Sequence, residues 1–308
     1  MGRRRKGRPV HGWLVLDKPA GLGSTQALAR TRGIFQAAKA GHGGTLDPLA
    51  SGLLPIAFGE ATKTVPYAMD GQKIYRFTIR WGEERSTDDA EGEVTATSGH
   101  RPSRADVEAA LGRFTGTIEQ VPPAFSAIRV NGERAYDLAR AGAAPELAPR
   151  PVRIDSLTVA GWPDADHCVL EAACGKGTYV RALARDLGRA LGTCAHISTL
   201  RRTRVGPFHE EDMISLEQLQ EMRHSGAVFE DFMQILKPVA TALDDIPALA
   251  VSRDEAARLR NGQPILVRGM NTPPMTGTVY AHSGGVPVAI AAMERGELHP
   301  VRVFNLPV

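Results

Sequence analysis

Residues 43–55 read GGTLDPLASGLLP, a stretch in which one carboxylate, that of Asp47, lies among glycines and apolar side chains. The glycines and the Asp-Pro pair predict a loop over residues 41–48, without helical or strand periodicity. A carboxylate in apolar surroundings is poorly solvated unless a cation pairs with it. Taken alone, Asp47 is compatible with a structural Asp-Pro turn and with a functional carboxylate.

Regular elements are predicted on both sides of this loop. Residues 13–16 form a strand candidate, and a helix capped by Ser24 is expected over residues 25–37. In IYRFTIRW, residues 74–81, apolar and polar side chains alternate, which is typical of a half-buried strand. Further candidates are a helix from Ser103 with a capping box to Asp106, a short helix near 134–140, strands at 154–162 and 168–172, a helix at 179–191, and a partly helical segment at 209–231.

The C-terminal part differs in pattern from the rest. Beyond Pro238, residues 252–255 form a capping box and Gly262 is placed where a helix ends. Short apolar segments then alternate with turns, which predicts a small, mostly β module. The length of 308 residues is also that of about two domains.

Composition excludes several classes of protein. The chain is 43% hydrophobic and 23% charged, as is typical of soluble globular proteins. No apolar run approaches the roughly 18 residues of a membrane helix, which excludes a transmembrane protein. No hydrophobic segment follows the basic N-terminus, which therefore does not have the pattern of a secretory signal. The cysteines are three and unevenly spaced, which argues against a disulfide scaffold and favours the reducing cytosol.

Motifs of several enzyme classes are missing as well. The chain has no G-x-x-x-x-G-K-[ST] and no G-x-S-x-G, and the glycines at 41–44 do not have G-x-G-x-x-G spacing. No C-x-x-C pair occurs, so we predict no metal site and interpret the cysteines as small buried apolar side chains. This set comprises Cys168, Cys174 and Cys194, with His167 and His196 nearby.

The net charge of +3 is a sum over unlike regions. Residues 1–40 hold nine Lys and Arg against Asp17, whereas residues 209–231 hold seven Asp and Glu against Arg223. An average of this kind can conceal a basic surface for a polyanion. A charge run is equally compatible with a solvated surface.

The stretch around Asp47 closely resembles the signature loop of the pseudouridine synthases, and specifically of the TruB-type enzymes that modify the T-loop of tRNA. Further segments resemble motifs of this family and occur in the family's order across roughly residues 12–208. They are LDKPAG at 16–21, Tyr75-Arg76, VPPAFSAIR at 121–129, KGTYVR at 176–181, and LRR at 200–202 followed by GPF at 206–208.

The resemblance implies an α+β architecture. A mixed catalytic domain around a curved, largely antiparallel sheet is expected over residues 12–240, with a thumb segment near 121–150. A basic tail, residues 1–11, would precede it. A small β-rich, PUA-like RNA-binding domain is expected over residues 245–308. Residues 87–92 (TDDAEG) also resemble a family segment, which we interpret as a structural turn, with proximity to the RNA left open.

The reaction implied by the resemblance is the isomerisation of uridine 55 in the T-loop of tRNA. The C1′–N1 bond breaks, the flipped-out uracil rotates, and a C1′–C5 bond forms. No atom is gained or lost, so no cofactor or metal is expected. By resemblance Asp47 is the catalytic carboxylate, and attack at C1′, attack at C6 and a glycal intermediate remain open as its route.

The resemblance also assigns roles to other residues. Arg181 would pair with Asp47 and lower its pKa, although a solvent-facing position on its helix is an alternative. Tyr75 would stack on the base and take part in proton transfer, and Leu200 would pack on the other side of the uracil; for both, plain core packing is the alternative. The other expected substrate-binding residues are His42 against the T-loop, Lys18 supporting the loop or a phosphate, Tyr179, and the phosphate-contact candidates Arg129, Arg201 and Arg202.

The expected partner is tRNA, contacted at its T-loop and T-stem. We expect a cytoplasmic monomer without an obligatory protein partner. A second hypothesis is a tRNA-binding protein that helps the RNA to fold. A third is a guide-RNA-dependent pseudouridine synthase, which is disfavoured because the long basic extension expected there is not found in this chain.

Overall fold

The computed structural model describes residues 7–126, 128–130, 132–143, 145–267 and 276–306. Within these ranges, no helix is long and apolar enough to cross a membrane. The side chains of Arg129, Arg134 and Arg140 lie outside the described part.

The elements alternate irregularly along the chain, as expected for an α+β protein. The helices are α1 (Ser24–Phe35), α2 (Val65–Asp70), α3 (Arg104–Leu111), α4 (Ala135–Arg140), α5 (Val180–Ala190), α6 (Leu216–His224), α7 (Phe229–Gln234) and α8 (Arg253–Arg260). The strands are β1 (Gly12–Lys18), β2 (Ala40–His42), β3 (Ser51–Phe58), β4 (Lys73–Trp81), β5 (Glu83–Arg85), β6 (Val94–Thr97), β7 (Gly116–Gln120), β8 (Arg129–Val130), β9 (Glu133–Arg134), β10 (Arg150–Gly161), β11 (His167–Cys174), β12 (Ala195–Val205), β13 (Phe208–His209), β14 (Ile214–Ser215), β15 (Ala248–Ala250), β16 (Ile265–Leu266), β17 (Gly277–Ser283), β18 (Val286–Glu294) and β19 (Glu297–Val303). Short 3₁₀ helices cover Gly59–Lys63, Gly112–Phe114, Glu210–Asp212 and Val239–Leu243.

One large mixed sheet carries the body of the protein. Its order is β14-β1-β3-β12-β4-β11-β10-β7, with β2 on β3 and β13 on β12. Only the pairs β3–β12 and β1–β14 are parallel among these described strands, so the predicted largely antiparallel sheet is confirmed. The predicted strand at 74–81 is β4, and Phe77, Ile79 and Trp81 on its apolar face are buried.

Two central strands were not predicted. Strand β3 starts within the quoted stretch, and its residues 52–58 are all buried, so it lacks the alternation that marks a half-buried strand. Strand β12 contains Arg201, Arg202 and Arg204, and the burial of Arg202 breaks the polar-out pattern. The predicted loop at 41–48 also begins with the short strand β2.

Gly52 lets β3 approach β12 closely. Its φ is +95°, and a Cβ atom there would lie 2.3 Å from the carbonyl oxygen of Arg202. Any other residue would therefore displace one of the two strands that support the Asp47 loop.

Helix capping follows the sequence with one correction. Ser103 and Ser252 cap α3 and α8 with reciprocal bonds from Asp106 and Glu255, as predicted. Ser24 does not cap α1, where Gly23 holds the cap position. The Ser24 hydroxyl instead donates to the carbonyl of Leu46 and accepts from its N–H, both at 2.8 Å, and so fixes the residue before Asp47.

The sequence alone assigns no role to the acidic segment 209–231. In the structure this segment forms one edge of the large sheet and contributes to the core. Strand β14 pairs with β1, and α6 packs on α1. Phe232 of α7 contacts Phe35 edge-on at 5.4 Å between ring centroids. The carboxylate of Glu210 lies 2.7 Å from Arg201, so one of the acids offsets a basic residue of the body.

The second sheet, of order β15-β17-β18-β19-β16, lies in the C-terminal segment and is covered by α8. It shares a hydrophobic cluster with the large sheet, in which Ile290 and Phe304 join Trp13 and Phe208. The carbonyl of Val303 also accepts from Lys63, at 2.8 Å. The C-terminal β-rich part is therefore attached through buried contacts.

We expect Phe304→Ala to destabilise the whole chain by about 3–5 kcal/mol, because it empties a fully buried site between the two sheets. The matched change Val301→Ala, at a residue that is 63% exposed, should cost less than about 0.5 kcal/mol. Denaturant unfolding measures both. Equal effects of the two substitutions would contradict the shared core.

Candidate active site

The Asp47 loop connects β2 to β3, and a buried lysine side chain, that of Lys18, supports it through hydrogen bonds. The Nζ of Lys18 donates to the carbonyls of Leu22 at 2.6 Å and Pro19 at 2.9 Å, and lies 3.4 Å from that of Pro48. Burial lowers the pKa of Lys18 to about 8, against the opposing effect of the Asp47 carboxylate. Because Lys18 is fully buried, its position favours the loop-supporting role over a phosphate contact.

Asp47 is paired with Arg181, the second residue of α5. The Nε of Arg181 donates to Oδ2 of Asp47 at 2.9 Å. Its two terminal nitrogens donate to the carbonyls of Thr87 at 2.7 Å and Phe125 at 2.9 Å. The Arg181 side chain is 5% exposed and that of Asp47 is 39% exposed. The arginine is therefore buried in the protein, whereas the carboxylate that it holds is accessible.

Residues 87–91, which were not assigned to the site from the sequence, complete this hydrogen-bond network. Oδ2 of Asp89 lies 3.6 Å from Nε of Arg181, and Oδ1 accepts from the Thr87 hydroxyl at 2.5 Å. Asp88 has a φ of +60° and pairs with Arg185 at 2.9 Å, while desolvation raises its pKa to about 6. The signal in the sequence is the TDDAEG segment itself, although its carboxylates have the pattern of a structural turn.

Asp47, Arg181, Thr87 and Asp89 line a cavity of about 320 Å³. Tyr75 and Leu200 lie on neighbouring strands β4 and β12, and both line it, whereas the other members of the Tyr75 face are core. Desolvation raises the pKa of Tyr75. Further lining residues are Phe125, Ser126 and Tyr136 of the thumb segment and Tyr179, which directly precedes α5.

Arg202 lies beneath the loop, 1% exposed. It donates to the carbonyl of Leu53 at 2.8 Å and to that of Gly44 at 3.0 Å, and its guanidinium carbon is 6.0 Å from the centroid of the Tyr75 ring. A group so buried cannot reach a phosphate. The predicted phosphate contact by Arg202 is replaced by an inferred role in positioning the loop and Tyr75.

Two family models match the chain. Residues 32–180 match the TruB family pseudouridylate synthase (N terminal domain), and residues 181–244 match the tRNA pseudouridylate synthase B C-terminal domain. A protein of Bradyrhizobium diazoefficiens named tRNA pseudouridine synthase B is 61% identical over 304 residues, covering 98% of this chain and 88% of its own. The chain belongs to the TruB family of pseudouridylate synthases. A protein of the same name from Brucella anthropi is 52% identical over 322 residues and covers 99% of both chains.

Solved structures support the fold. The archaeal box H/ACA sRNP Nop10-Cbf5 complex contains a chain with a TM-score of 0.74 and 23% identity, covering 100% of this chain and 93% of its own. The TruB fold with a large mixed sheet and a C-terminal β-rich domain is thus confirmed. The family models and the curated relatives show that the chain is an RNA pseudouridine synthase.

Of the remaining substrate-binding candidates, Tyr179 and His42 differ in their position relative to the cavity. Tyr179 lines the cavity, and its backbone is held by Gln120, whose amide oxygen accepts from the Tyr179 N–H at 2.8 Å. His42 does not line the cavity, and its buried Nδ1 has no hydrogen-bond partner within the described residues. Burial and the Arg202 charge lower the pKa of His42.

Two phosphate-contact candidates remain predictions. Arg201 makes a two-pronged pair with Asp17 at 3.0 and 3.1 Å, so an RNA phosphate would have to compete with that carboxylate. Arg129 lies on β8, and its side chain is outside the described part.

Two of the three cysteines are buried as predicted, whereas Cys194 is only partly buried. Cys168 and Cys174 are buried and unpaired, and burial raises their pKa values to about 12 and about 11. No group of His, Cys, Asp and Glu able to hold a metal ion occurs among the residues that the structure describes.

The buried Lys18 predicts a pH dependence of stability. Its folded pKa of about 8 lies below the ordinary 10.5, so between these values the unfolded chain binds more protons and stability rises with pH. Comparing wild type with Lys18→Met by urea unfolding, we expect the difference in unfolding free energy to shift in favour of wild type by on the order of 1 kcal/mol between pH 8 and 9.5. A pH-independent difference would contradict the burial of a charged Lys18.

Proposed function

We propose that this synthase acts on tRNA and converts uridine 55 of the T-loop to pseudouridine, with the target base flipped into the cavity beside Asp47. The observation that carries the proposal is the Asp47–Arg181 ion pair on the wall of a cavity of about 320 Å³. This volume is at the lower end of small-molecule sites, which suits a single flipped nucleoside. The printed names of the relatives support tRNA as the substrate.

The chemistry follows from the placement of the side chains. A uracil between Tyr75 and Leu200 would lie beside the carboxylate of Asp47. The carboxylate assists departure of uracil N1 from C1′, the base rotates within the cavity, and C5 bonds to C1′ before losing its proton. Arg181 donates a charge-assisted hydrogen bond to the carboxylate and fixes its orientation, because the guanidinium is itself held by bonds to two loop carbonyls.

Contacts outside the cavity must offset base flipping, which costs a few kcal/mol. We propose residues 245–308 as a PUA-like RNA-binding domain and residues 12–240 as the catalytic domain. The shared cluster around Phe304 supports this proposal, because it would hold the RNA-binding sheet at a set position relative to the cavity. We further propose that the protein acts as a monomer without an obligatory protein partner.

The proposal is tested with unmodified tRNA transcripts and with an isolated T-arm hairpin, mapping pseudouridine by carbodiimide modification and primer extension. We expect modification at position 55 in both RNAs and none in a transcript with cytidine there. Modification at another position alone would refute the assignment of U55. Light scattering of the protein with and without tRNA tests the monomer.

A further inference from the structure

The isomerisation needs a group that removes the proton from C5. After the C1′–C5 bond forms, C5 carries both the sugar and its original hydrogen. Loss of that proton leaves its bonding electrons to restore the C5=C6 double bond. A general base in the cavity wall contributes about 10²–10⁴-fold to such a step.

Three of the groups that line the cavity are poorly suited to this task. Asp47 is engaged by Arg181 and is assigned to the bond at C1′. Asp89 accepts from the Thr87 hydroxyl and lies against Arg181, and its side chain is 4% exposed. Tyr75 would have to be a phenolate, which its raised pKa makes scarce near pH 7.

Glu91 has the properties that these groups lack. It lines the cavity, and its carboxylate makes no hydrogen bond or ion pair within the described ranges. Its backbone is nevertheless anchored beside the cavity, because its N–H donates to Oδ1 of Asp89 at 3.1 Å. The residue is exposed, so a proton taken from the substrate can pass to water.

We infer that Glu91 is the general base that accepts the C5 proton and releases it to solvent at the cavity mouth. This inference rests on the proposed function. The charged groups facing Glu91 are Asp89, Asp47, Arg181 and Lys18. Partial burial and the two carboxylates raise the pKa of Glu91 more than the two cations lower it. A carboxylate with a raised pKa is a stronger base at neutral pH.

The test compares Glu91→Gln with Glu93→Gln, a neighbouring exposed glutamate that does not line the cavity. Single-turnover rates are measured with tRNA carrying hydrogen or deuterium at C5 of the target uridine. For Glu91→Gln we expect a loss of about 10²-fold, unchanged tRNA affinity, and a deuterium isotope effect larger than that of wild type. The acid limb of the wild-type pH profile should disappear. Glu93→Gln should match wild type, and Glu91→Asp should recover part of the rate.

An unchanged rate for Glu91→Gln would overturn the inference. So would a slower rate without an increased isotope effect, because Glu91 would then act on binding or loop position. Failure of the proposed function would look different, since wild type itself would form no pseudouridine in the T-loop. Failure of the inference is confined to the variant of an active wild type.

Discussion

Asp47→Asn should abolish pseudouridine formation, with a fall in single-turnover rate of at least about 10⁴-fold. The amide has nearly the shape of the carboxylate but cannot act as a nucleophile or stabilise positive charge at C1′. Arg181 would keep its bonds to the carbonyls of Thr87 and Phe125, so the fold and the cavity should persist. Rapid-quench assays with saturating enzyme measure the rate, and filter binding measures tRNA affinity.

The control is Asp164→Asn, the same chemical change at an aspartate that is 56% exposed and pairs with His167. It should leave rate and affinity unchanged. A residual rate for Asp47→Asn within about tenfold of wild type would remove Asp47 from the chemistry. If the variant still binds tRNA and assists its folding, that activity is separate from catalysis.

Arg181→Lys should reduce the single-turnover rate by about 10²–10³-fold although the charge is kept. Three nitrogens of the guanidinium reach three different partners, and a single ammonium cannot replace that geometry. Two buried or partly buried carbonyls would also lose their donor, which should lower stability by about 1–3 kcal/mol. The affinity for tRNA should change much less than the rate.

Arg189→Lys is the matched control on the same helix. Arg189 is 60% exposed and pairs with Glu84 at 2.6 Å, so both the rate and the stability should stay near wild type. A wild-type rate for Arg181→Lys would show that only the charge matters, and would contradict the role of the three bonds in orienting Asp47.

Local patterns predicted several elements well. Alternation identified β4, and the reciprocal pairs Ser103–Asp106 and Ser252–Glu255 identified two helix starts. These signals are carried by neighbouring residues. Strands β3 and β12 were missed because burial on both faces of β3 and the buried Arg202 of β12 remove the periodicity.

The site, too, divides into residues that sequence motifs predict and contacts that depend on the fold. The Asp47 loop and Arg181 were predicted through motifs that resemble those of the family, but the pair joins positions 134 residues apart. The contacts of Asp89 with Arg181 and of Ser24 with Leu46 depend on the fold. In the sequence, Asp89 looks like an ordinary turn residue and Ser24 like an ordinary helix cap. The burial of Arg202 could not be predicted, because an arginine next to Arg201 has the pattern of a basic surface.

The most direct test of the central claim uses tRNA labelled with tritium only at C5 of uridine 55. Forming a bond from C1′ to C5 must expel that tritium into water, whereas binding or RNA folding leaves it in place. With the full chain alone, we predict release of one tritium per tRNA and, with Asp47→Asn, none. Retention of the label by the wild-type protein, or equal release by both proteins, would contradict an Asp47-dependent isomerisation in the T-loop.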